Sequence, residues 1–168
     1  METIIVTGGA SLVGRSLLEK LVAGKDNIFT ILKPERESLK LPGGISAFYT
    51  DLKDTEYLER LFDIYAPTKV VHLAAKSGVR ESVEAPLDYE ANNTMVTLSM
   101  LELCKRHEVK NFVFASTSQV YDDDSTPPFL EDKSPANRQK SPYAVSKRSC
   151  ELYCYTYSNM SDIHTACL

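Results

Sequence analysis

Apolar residues occur along the chain in two alternating patterns. Short, nearly continuous apolar runs rich in β-branched residues are typical of strands that are buried on both faces of a parallel sheet. Between these runs, apolar side chains recur every three or four residues, which is typical of amphipathic helices. The predicted strands are Thr3–Thr7, Ile28–Leu32, Ile45–Thr50, Lys69–Leu73, Asn111–Ala115 and Ile163–Leu168.

The helical pattern predicts three apolar stripes and a long last helix from about Ser141 to Asn159. Asp54 is the predicted N-cap of the second helix. Because strands and helices alternate over most of the chain, we expect one α/β domain over residues 1–168, with a doubly wound parallel sheet. The stripes consist of Val13, Leu17, Leu18 and Leu21; Leu58, Leu61, Phe62 and Tyr65; and Met95, Leu98, Leu101 and Cys104.

The stretch Asp122–Lys140 is predicted to be a long loop. It contains three consecutive aspartates, Asp122–Asp124, and three prolines, and it has little periodicity. Loops longer than about 12–15 residues in a compact domain are usually functional or disordered. The aspartates are interpreted as a solvated loop rather than a cation site, because metal-ligand spacing is absent.

Composition and charge narrow the range of functions. The 168 residues include 19 Lys and Arg against 23 Asp and Glu, for a net charge of −4. Without a basic block, there is no electrostatic footprint for nucleic acid or an anionic membrane. No apolar run reaches the roughly 18–20 residues of a membrane span, and the N-terminus lacks signal-peptide features. The four cysteines (Cys104, Cys150, Cys154 and Cys167) form no CxxC motif and are expected to be buried, reduced thiols of a cytoplasmic protein.

A glycine-rich segment, Thr7–Gly14, follows the first predicted strand and precedes a helix. Glycines at this turn let the backbone approach a pyrophosphate, which then lies on free N–H groups of the helix. Many strand–helix turns also use glycine without binding any ligand. The position of this segment at the first strand–helix turn favours dinucleotide binding.

This segment resembles the TGxxGxxG fingerprint of the extended short-chain dehydrogenase/reductases, the NAD-dependent epimerase/dehydratase family. Gly8 and Gly14 match the first and third glycines, whereas Ser11 stands at the middle one. The Ser11 side chain could crowd a pyrophosphate, or its hydroxyl could bond a phosphate oxygen. The resemblance also implies cofactor contacts from Leu12 and Val13.

Two further segments resemble cofactor-binding parts of this family. Asp51 and Leu52 match the D-[LI]-x-D segment that borders the adenine. No acidic residue closes the second strand, where one would hold the ribose hydroxyls of NAD. Lys33 and Arg36 follow that strand instead. The cofactor is therefore NAD or NADP, with NADP favoured, unless the two cations are only solvated surface groups.

The stretch from His72 to Ser82 resembles the HLAA-x-x-GVR-x-S segment of nucleotide-sugar epimerases. This resemblance implies cofactor contacts from Ala74 and Ala75 and a substrate contact from Arg80. Asn93 matches a structural asparagine of the family and is also assigned to the cofactor site, whereas Val96 stands where a glycine is usual. His72, in a strand, and His107, near a helix end, are interpreted as structural residues.

The remaining motifs carry the chemistry. Ala115–Tyr121 resembles the family segment ASSSSVYG, and Tyr143 with Lys147 forms a YxxxK motif. A tyrosine hydroxyl ordinarily loses its proton near pH 10, and a neighbouring ammonium favours the phenolate. The four-residue spacing places Lys147 one helical turn from Tyr143. The resemblance implies Thr117, Tyr143 and Lys147 as catalytic residues, the last two also contacting the cofactor, and Ser116 and Ser118 as substrate-binding residues.

The resemblance implies an NAD(P)-dependent epimerase/dehydratase that acts on a nucleotide sugar. Because family members carry a further C-terminal substrate lobe and this chain ends inside its sixth predicted strand, an N-terminal fragment or a truncated form is expected. Two alternatives remain open: a non-catalytic dinucleotide-binding or interaction module, and an NADP-dependent carbonyl reductase. Family analogy further implies a homodimer through helices near residues 87–107 and 141–159.

Overall fold

One parallel sheet of six strands organises the part of the chain that the computed structural model describes, residues 1–121, 128–130 and 138–168. The strand order is β3-β2-β1-β4-β5-β6, which is that of a doubly wound, Rossmann-like sheet. The predicted fold class is therefore confirmed. The strands are β1 (Thr3–Thr7), β2 (Asn27–Leu32), β3 (Ile45–Tyr49), β4 (Lys69–His72), β5 (Asn111–Phe114) and β6 (His164–Cys167).

Helices connect successive strands, and side-chain caps begin several of them. Asp54 accepts a hydrogen bond from the Tyr57 amide at 3.0 Å, as predicted for an N-cap. Ser141 caps the long last helix through the Ala144 amide at 3.1 Å. The helices are α1 (Leu12–Leu21), α2 (Thr55–Tyr65), α3 (Val79–Glu84), α4 (Pro86–Tyr89), α5 (Met95–Arg106) and α6 (Pro142–Met160); a π-helical turn (Glu90–Thr94) joins α4 to α5, and 3₁₀ turns occupy Pro34–Arg36 and Ser118–Val120.

Apolar side chains pack on both faces of the sheet. On β1, Ile5 belongs to the larger core cluster, whereas Ile4 and Val6 belong to the smaller one. This alternation places the two clusters on opposite faces, because successive side chains of a strand point to opposite sides. The nearly continuous apolar runs therefore correctly predicted strands that are buried on both faces.

Three details of the predicted burial are wrong. Val13 lies in the first turn of α1, ahead of the buried Leu18, and is 65% exposed. Met95 is 56% exposed, because a strict three-residue spacing drifts by about 60° per step on an α-helix and places it opposite Cys104. Cys167 is exposed on β6, which pairs only with β5 in the described sheet.

Several other predictions are confirmed within small limits. Cys104, Cys150 and Cys154 are buried free thiols. The strands β3, β4 and β5 end one residue earlier than predicted.

Asp122–Asp124 lie outside the described residues. Among the helices of the described segments, none is long and apolar enough to cross a bilayer.

Candidate functional site

A cleft of about 630 Å³ opens where the carboxyl ends of β1, β2, β3 and β4 meet. It lies beside the point at which the strand order reverses between β1 and β4, the usual ligand site of an open α/β sheet. The sequence-predicted residues that line it are Gly8, Ser11, Lys33, Arg36, Asp51, Leu52, Ala74 and Ala75. Most of the predicted cofactor contacts are thus brought together in one place.

Gly8 and Gly14 allow the loops around the cleft to pack closely. Gly8 has a φ of +75°, and a Cβ there would lie 2.8 Å from the Ala74 nitrogen. A Cβ on Gly14 would lie 2.4 Å from the Gly8 carbonyl oxygen. Any side chain at these two positions would separate β1, the β4 loop and α1. Gly14 is buried at the start of α1 and does not line the cleft.

Ser11 is exposed and lines the cleft. It is the N-cap of α1, and its Oγ accepts a hydrogen bond from the Gly14 amide at 3.0 Å. Its φ of −72° is ordinary for a residue with a side chain. The serine therefore occupies the position of the middle glycine without backbone strain.

Leu12 and Val13 turn their side chains to solvent, with 85% and 65% exposure. They are the first two residues of α1, and the first N–H groups of a helix have no acceptor within it. Neither residue lines the cleft. Leu12 and Val13 could therefore contact an anionic ligand only through their backbone N–H groups at the start of α1, not through their side chains.

The edge of the cleft near β2 and β3 is strongly polar. Lys33 and Arg36 are exposed; Lys33 precedes the 3₁₀ turn after β2, and Arg36 is the last residue of that turn. The Asp51 carboxylate accepts the Lys53 amide at 2.9 Å and lies 3.8 Å from the Lys53 ammonium. This arrangement forms a rigid Asx turn beside Leu52.

Several lining residues were not assigned from the sequence, and four of them are joined by side-chain contacts: Lys53, Lys76, Asp88 and Asn92. They form a hydrogen-bonded chain along the mouth of the cleft. Lys53 Nζ donates to Asn92 Oδ1 at 3.3 Å, Asn92 Nδ2 donates to Asp88, and Asp88 pairs with Lys76. The Asp88 carboxylate raises the pKa of Lys76. The available signal was adjacency to assigned residues: Lys53 follows Asp51-Leu52, Lys76 follows Ala74-Ala75, and Asn92 precedes Asn93.

Asn93 lies behind the wall of the cleft and is 1% exposed. Its amide bonds both the nitrogen and the oxygen of the Lys76 backbone, at 2.7 and 2.9 Å, and Ser146 Oγ at 3.0 Å. It therefore ties the loop after β4 to α6, next to Lys147. Val96, one turn along, lines the cleft directly and is 4% exposed.

Tyr143 and Lys147 lie one turn apart near the start of α6. Tyr143 is half-buried, and its ring meets the buried Tyr89 ring edge-on at 6.1 Å. Lys147 is only 3% exposed, and its Nζ lies 4.2 Å from the centre of the Phe114 ring. Burial lowers the pKa of Lys147. The site thus contains an ammonium in a largely apolar environment, beside a phenol.

The serines and threonine after β5 have different surroundings. Thr117 precedes the 3₁₀ turn that packs against α6, and its Oγ1 accepts the Gln119 amide at 3.3 Å. Ser116 donates its hydroxyl to Glu151 of α6 and its amide to the Leu168 carbonyl at 2.7 Å. Ser118 and Arg80 are exposed. None of these four residues, and neither Tyr143 nor Lys147, lines the 630 Å³ cleft.

The chain resembles proteins of known activity over nearly its whole length. It is 36% identical over 171 residues to a UDP-glucuronate 4-epimerase of Thermodesulfobacterium geofontis, covering 95% of this chain and 52% of the relative. It is 37% identical over 160 residues to the UDP-glucose 4-epimerase of Homo sapiens, covering 87% of this chain and 46% of that protein. The chain spans about half the length of the curated relatives it matches.

Solved structures and a family model agree with these relatives. The UDP-glucose 4-epimerase of Thermus thermophilus in complex with NAD superposes with a TM-score of 0.87 at 32% identity, over 98% of this chain and 53% of that one. The UDP-glucuronic acid 4-epimerase of Bacillus cereus, in complex with UDP-glucuronic acid and NAD, gives 0.84 at 31%, over 98% and 55%. The model of the NAD-dependent epimerase/dehydratase family matches residues 4–168. The chain therefore belongs to the NAD-dependent epimerase/dehydratase family.

Proposed function

We propose that residues 1–168 are the dinucleotide-binding domain of an epimerase/dehydratase that acts on a nucleotide sugar. The observation that carries this proposal is the cleft at the switch point, with Gly8 held against the β4 loop and the N-terminus of α1 beside it. Relatives that superpose over this part of the chain bind NAD in one case and NAD with UDP-glucuronic acid in another.

The charges of the cleft fit an anionic dinucleotide. Four cationic side chains line it against two carboxylates, and the amides at the start of α1 add a partial positive charge. We assign the pyrophosphate to the turn from Gly8 to Gly14 and the adenine to the wall formed by Asp51 and Leu52. We expect Lys33 and Arg36, which line the cleft, to pair with a ribose 2′-phosphate, and so we propose NADP over NAD. The cations are Lys33, Arg36, Lys53 and Lys76.

Tyr143 is the proposed acid–base residue. Nicotinamide cofactors, when bound, supply hydride acceptance and return. In this chain, Tyr143 takes the proton of the substrate hydroxyl, Lys147 stabilises the phenolate electrostatically, and Thr117 orients the substrate oxygen by a hydrogen bond. Ser116, Ser118 and Arg80 are assigned to the substrate side. The Ser116 hydroxyl already donates to Glu151, so it can accept a hydrogen bond from the substrate but donates to it only if the bond to Glu151 is exchanged.

Two properties of the whole protein complete the proposal. The four cysteines are free, which fits a reducing compartment, and we assign the protein to the cytoplasm. Leu87, Met95, Leu152 and Tyr155 expose apolar surface on α4, α5 and α6. These side chains fit a homodimer in which the two helical segments of each copy pack together.

Replacing Tyr143 by Phe tests the catalytic part of the proposal. We expect the Tyr143→Phe variant to lose formation of reduced nicotinamide, followed by absorbance after mixing with NAD and a UDP-sugar, while its dinucleotide affinity is unchanged. Tyr155→Phe is the matched control, because Tyr155 lies on the same helix and is 69% exposed. Hydride transfer that survives in Tyr143→Phe would remove Tyr143 from this role. A wild-type chain that binds the dinucleotide but transfers no hydride would favour a binding module instead.

A further inference from the structure

A fully buried histidine lies beneath the floor of the cleft. His72 is the last residue of β4, is 0% exposed, and is paired in register with Thr7, the last residue of β1. Its Nδ1 lies 2.7 Å from Thr7 Oγ1 and its Nε2 lies 3.1 Å from Thr97 Oγ1. Both ring nitrogens therefore have partners, although no role in the proposed chemistry has been given to this residue.

The Thr7 hydroxyl links this histidine to the cleft. Thr7 Oγ1 accepts the Ala74 amide at 3.2 Å. Ala74 lines the cleft, and its nitrogen is the atom that a side chain on Gly8 would meet at 2.8 Å. The bond from Ala74 to Thr7 thus joins the end of β1 to the loop after β4, next to the close contact between Gly8 and Ala74.

One direction of hydrogen bonding gives the Ala74 amide, the Thr7 hydroxyl and the His72 ring N–H each an acceptor. An amide can only donate, so Ala74 donates to Thr7 Oγ1, and the Thr7 hydroxyl hydrogen is left for His72 Nδ1. The opposite ring nitrogen, Nε2, then donates to Thr97 Oγ1. The reverse tautomer would leave the buried Thr7 hydroxyl hydrogen without this acceptor, which is costly.

The ring must be neutral for this arrangement. Burial, together with the nearby Lys147 ammonium, lowers the pKa of His72 to about 3. The Phe114 ring lies against both groups, 6.1 Å from the His72 ring and 4.2 Å from Lys147 Nζ. The histidine is therefore an uncharged acceptor at neutral pH, and its orientation is fixed by packing.

We propose that His72 is a positioning residue of the cleft: its Nδ1 holds the Thr7 hydroxyl in the orientation that accepts the Ala74 amide and so fixes the β4 loop against Gly8. The expected effect of His72 on dinucleotide affinity rests on the proposed dinucleotide-binding function. The effect on the Ala74 amide does not depend on that function.

Two substitutions of His72 separate this role from simple packing. Asparagine keeps an acceptor, Oδ1, near the place of Nδ1, whereas leucine fills space without one. We expect His72→Leu to lose about tenfold in Ala74 amide exchange protection and in affinity for NAD, the size of one hydrogen bond. His72→Asn should retain both within about threefold, although both variants lose stability through the altered core. Thr7→Val should reproduce the loss of Ala74 protection with His72 intact.

Amide hydrogen exchange by NMR on the free protein and calorimetric titration with NAD supply the two measurements. His107→Leu is the control, because His107 is a largely buried, hydrogen-bonded histidine remote from the cleft. Equal losses in His72→Asn and His72→Leu, or no loss of Ala74 protection in either His72→Leu or Thr7→Val, would overturn the proposal. Failure of the wild-type chain to bind NAD would contradict the proposed function, while the exchange measurement would still decide the positioning role.

Discussion

At the scale of single residues, several positions combine a ligand-facing surface with a structural duty. Ser11 faces the cleft and caps α1, and Ala74 lines the cleft while donating to Thr7. The sequence could identify these positions because each belongs to a short motif whose residues are close together in the chain. It could not reveal the hydrogen-bond partner of each side chain, because these partners lie 3 to 67 residues away.

Ser11 should contribute to stability as a helix cap. Ser11→Ala is expected to lower the free energy of unfolding by about 1 kcal/mol, whereas Ser11→Gly should cost only a few tenths. Urea denaturation measures both, with Ser16→Ala, an exposed change inside α1, as the control. A Ser11→Ala variant as stable as wild type would show that the cap to Gly14 contributes nothing.

His72 should make stability depend on pH. Its pKa is about 3 in the folded protein and about 6.5 when unfolded, so below pH 6.5 the unfolded chain binds a proton that the folded chain does not. The free energy of unfolding should therefore fall as the pH decreases from 6.5 toward 3, by up to about 1.4 kcal/mol per pH unit from this residue.

The comparison of wild type with His72→Asn isolates that dependence from the titration of the carboxylates. Urea denaturation between about pH 7 and pH 5 should show a steeper loss in wild type, by about 2 kcal/mol at pH 5. Identical pH profiles for the two proteins would mean that His72 is protonated in the folded state or that its neighbours compensate.

At the scale of helices and strands, periodicity predicted the strands and the longer helices, but it missed α3, the 3₁₀ turns and the junctions between elements. The segment near residues 87–107 was expected as one helix, yet it consists of α4, a π-helical turn and α5. Such turns often occur at functional sites, and this one carries Asn92 at the mouth of the cleft and Asn93 behind its wall. The π turn is favoured by tertiary contacts, in which Asn93 bonds Lys76 and Ser146. Because these partners are distant in sequence, the local sequence contains no signal for the turn.

The exposed apolar faces of α5 and α6 should hold the proposed homodimer together. Leu152→Glu places a charge at a 52% exposed position on α6 and should convert a dimer into a monomer in sedimentation velocity. Ile64→Glu is the matched control, because Ile64 is 70% exposed on α2, which is not part of the proposed interface. A wild-type monomer, or a Leu152→Glu dimer, would contradict this interface.

At the scale of the whole molecule, the fold was more predictable than the site. Buried strands and amphipathic helices leave a periodic pattern, and their alternation implies the parallel sheet. The sequence predicted those lining residues of the cleft that belong to motifs at strand ends. It did not predict the hydrogen-bonded chain of Lys53, Asn92, Asp88 and Lys76, because these residues come from separate loops and helices. Thr117 comes near α6, which carries Tyr143 and Lys147, because the 3₁₀ turn Ser118–Val120 packs on that helix; periodicity alone does not specify this packing.

The measurement that tests the central claim most directly is a calorimetric titration of the chain with NAD and with NADP. We expect dissociation constants on the order of micromolar, with NADP binding more tightly because Lys33 and Arg36 line the cleft. Gly8→Ala should abolish binding, because its Cβ would lie 2.8 Å from the Ala74 nitrogen, whereas Gly43→Ala has no atom within 4 Å and should bind as wild type does. Absence of binding by the folded wild-type chain, or equal binding by Gly8→Ala, would contradict the assignment of this cleft to a dinucleotide.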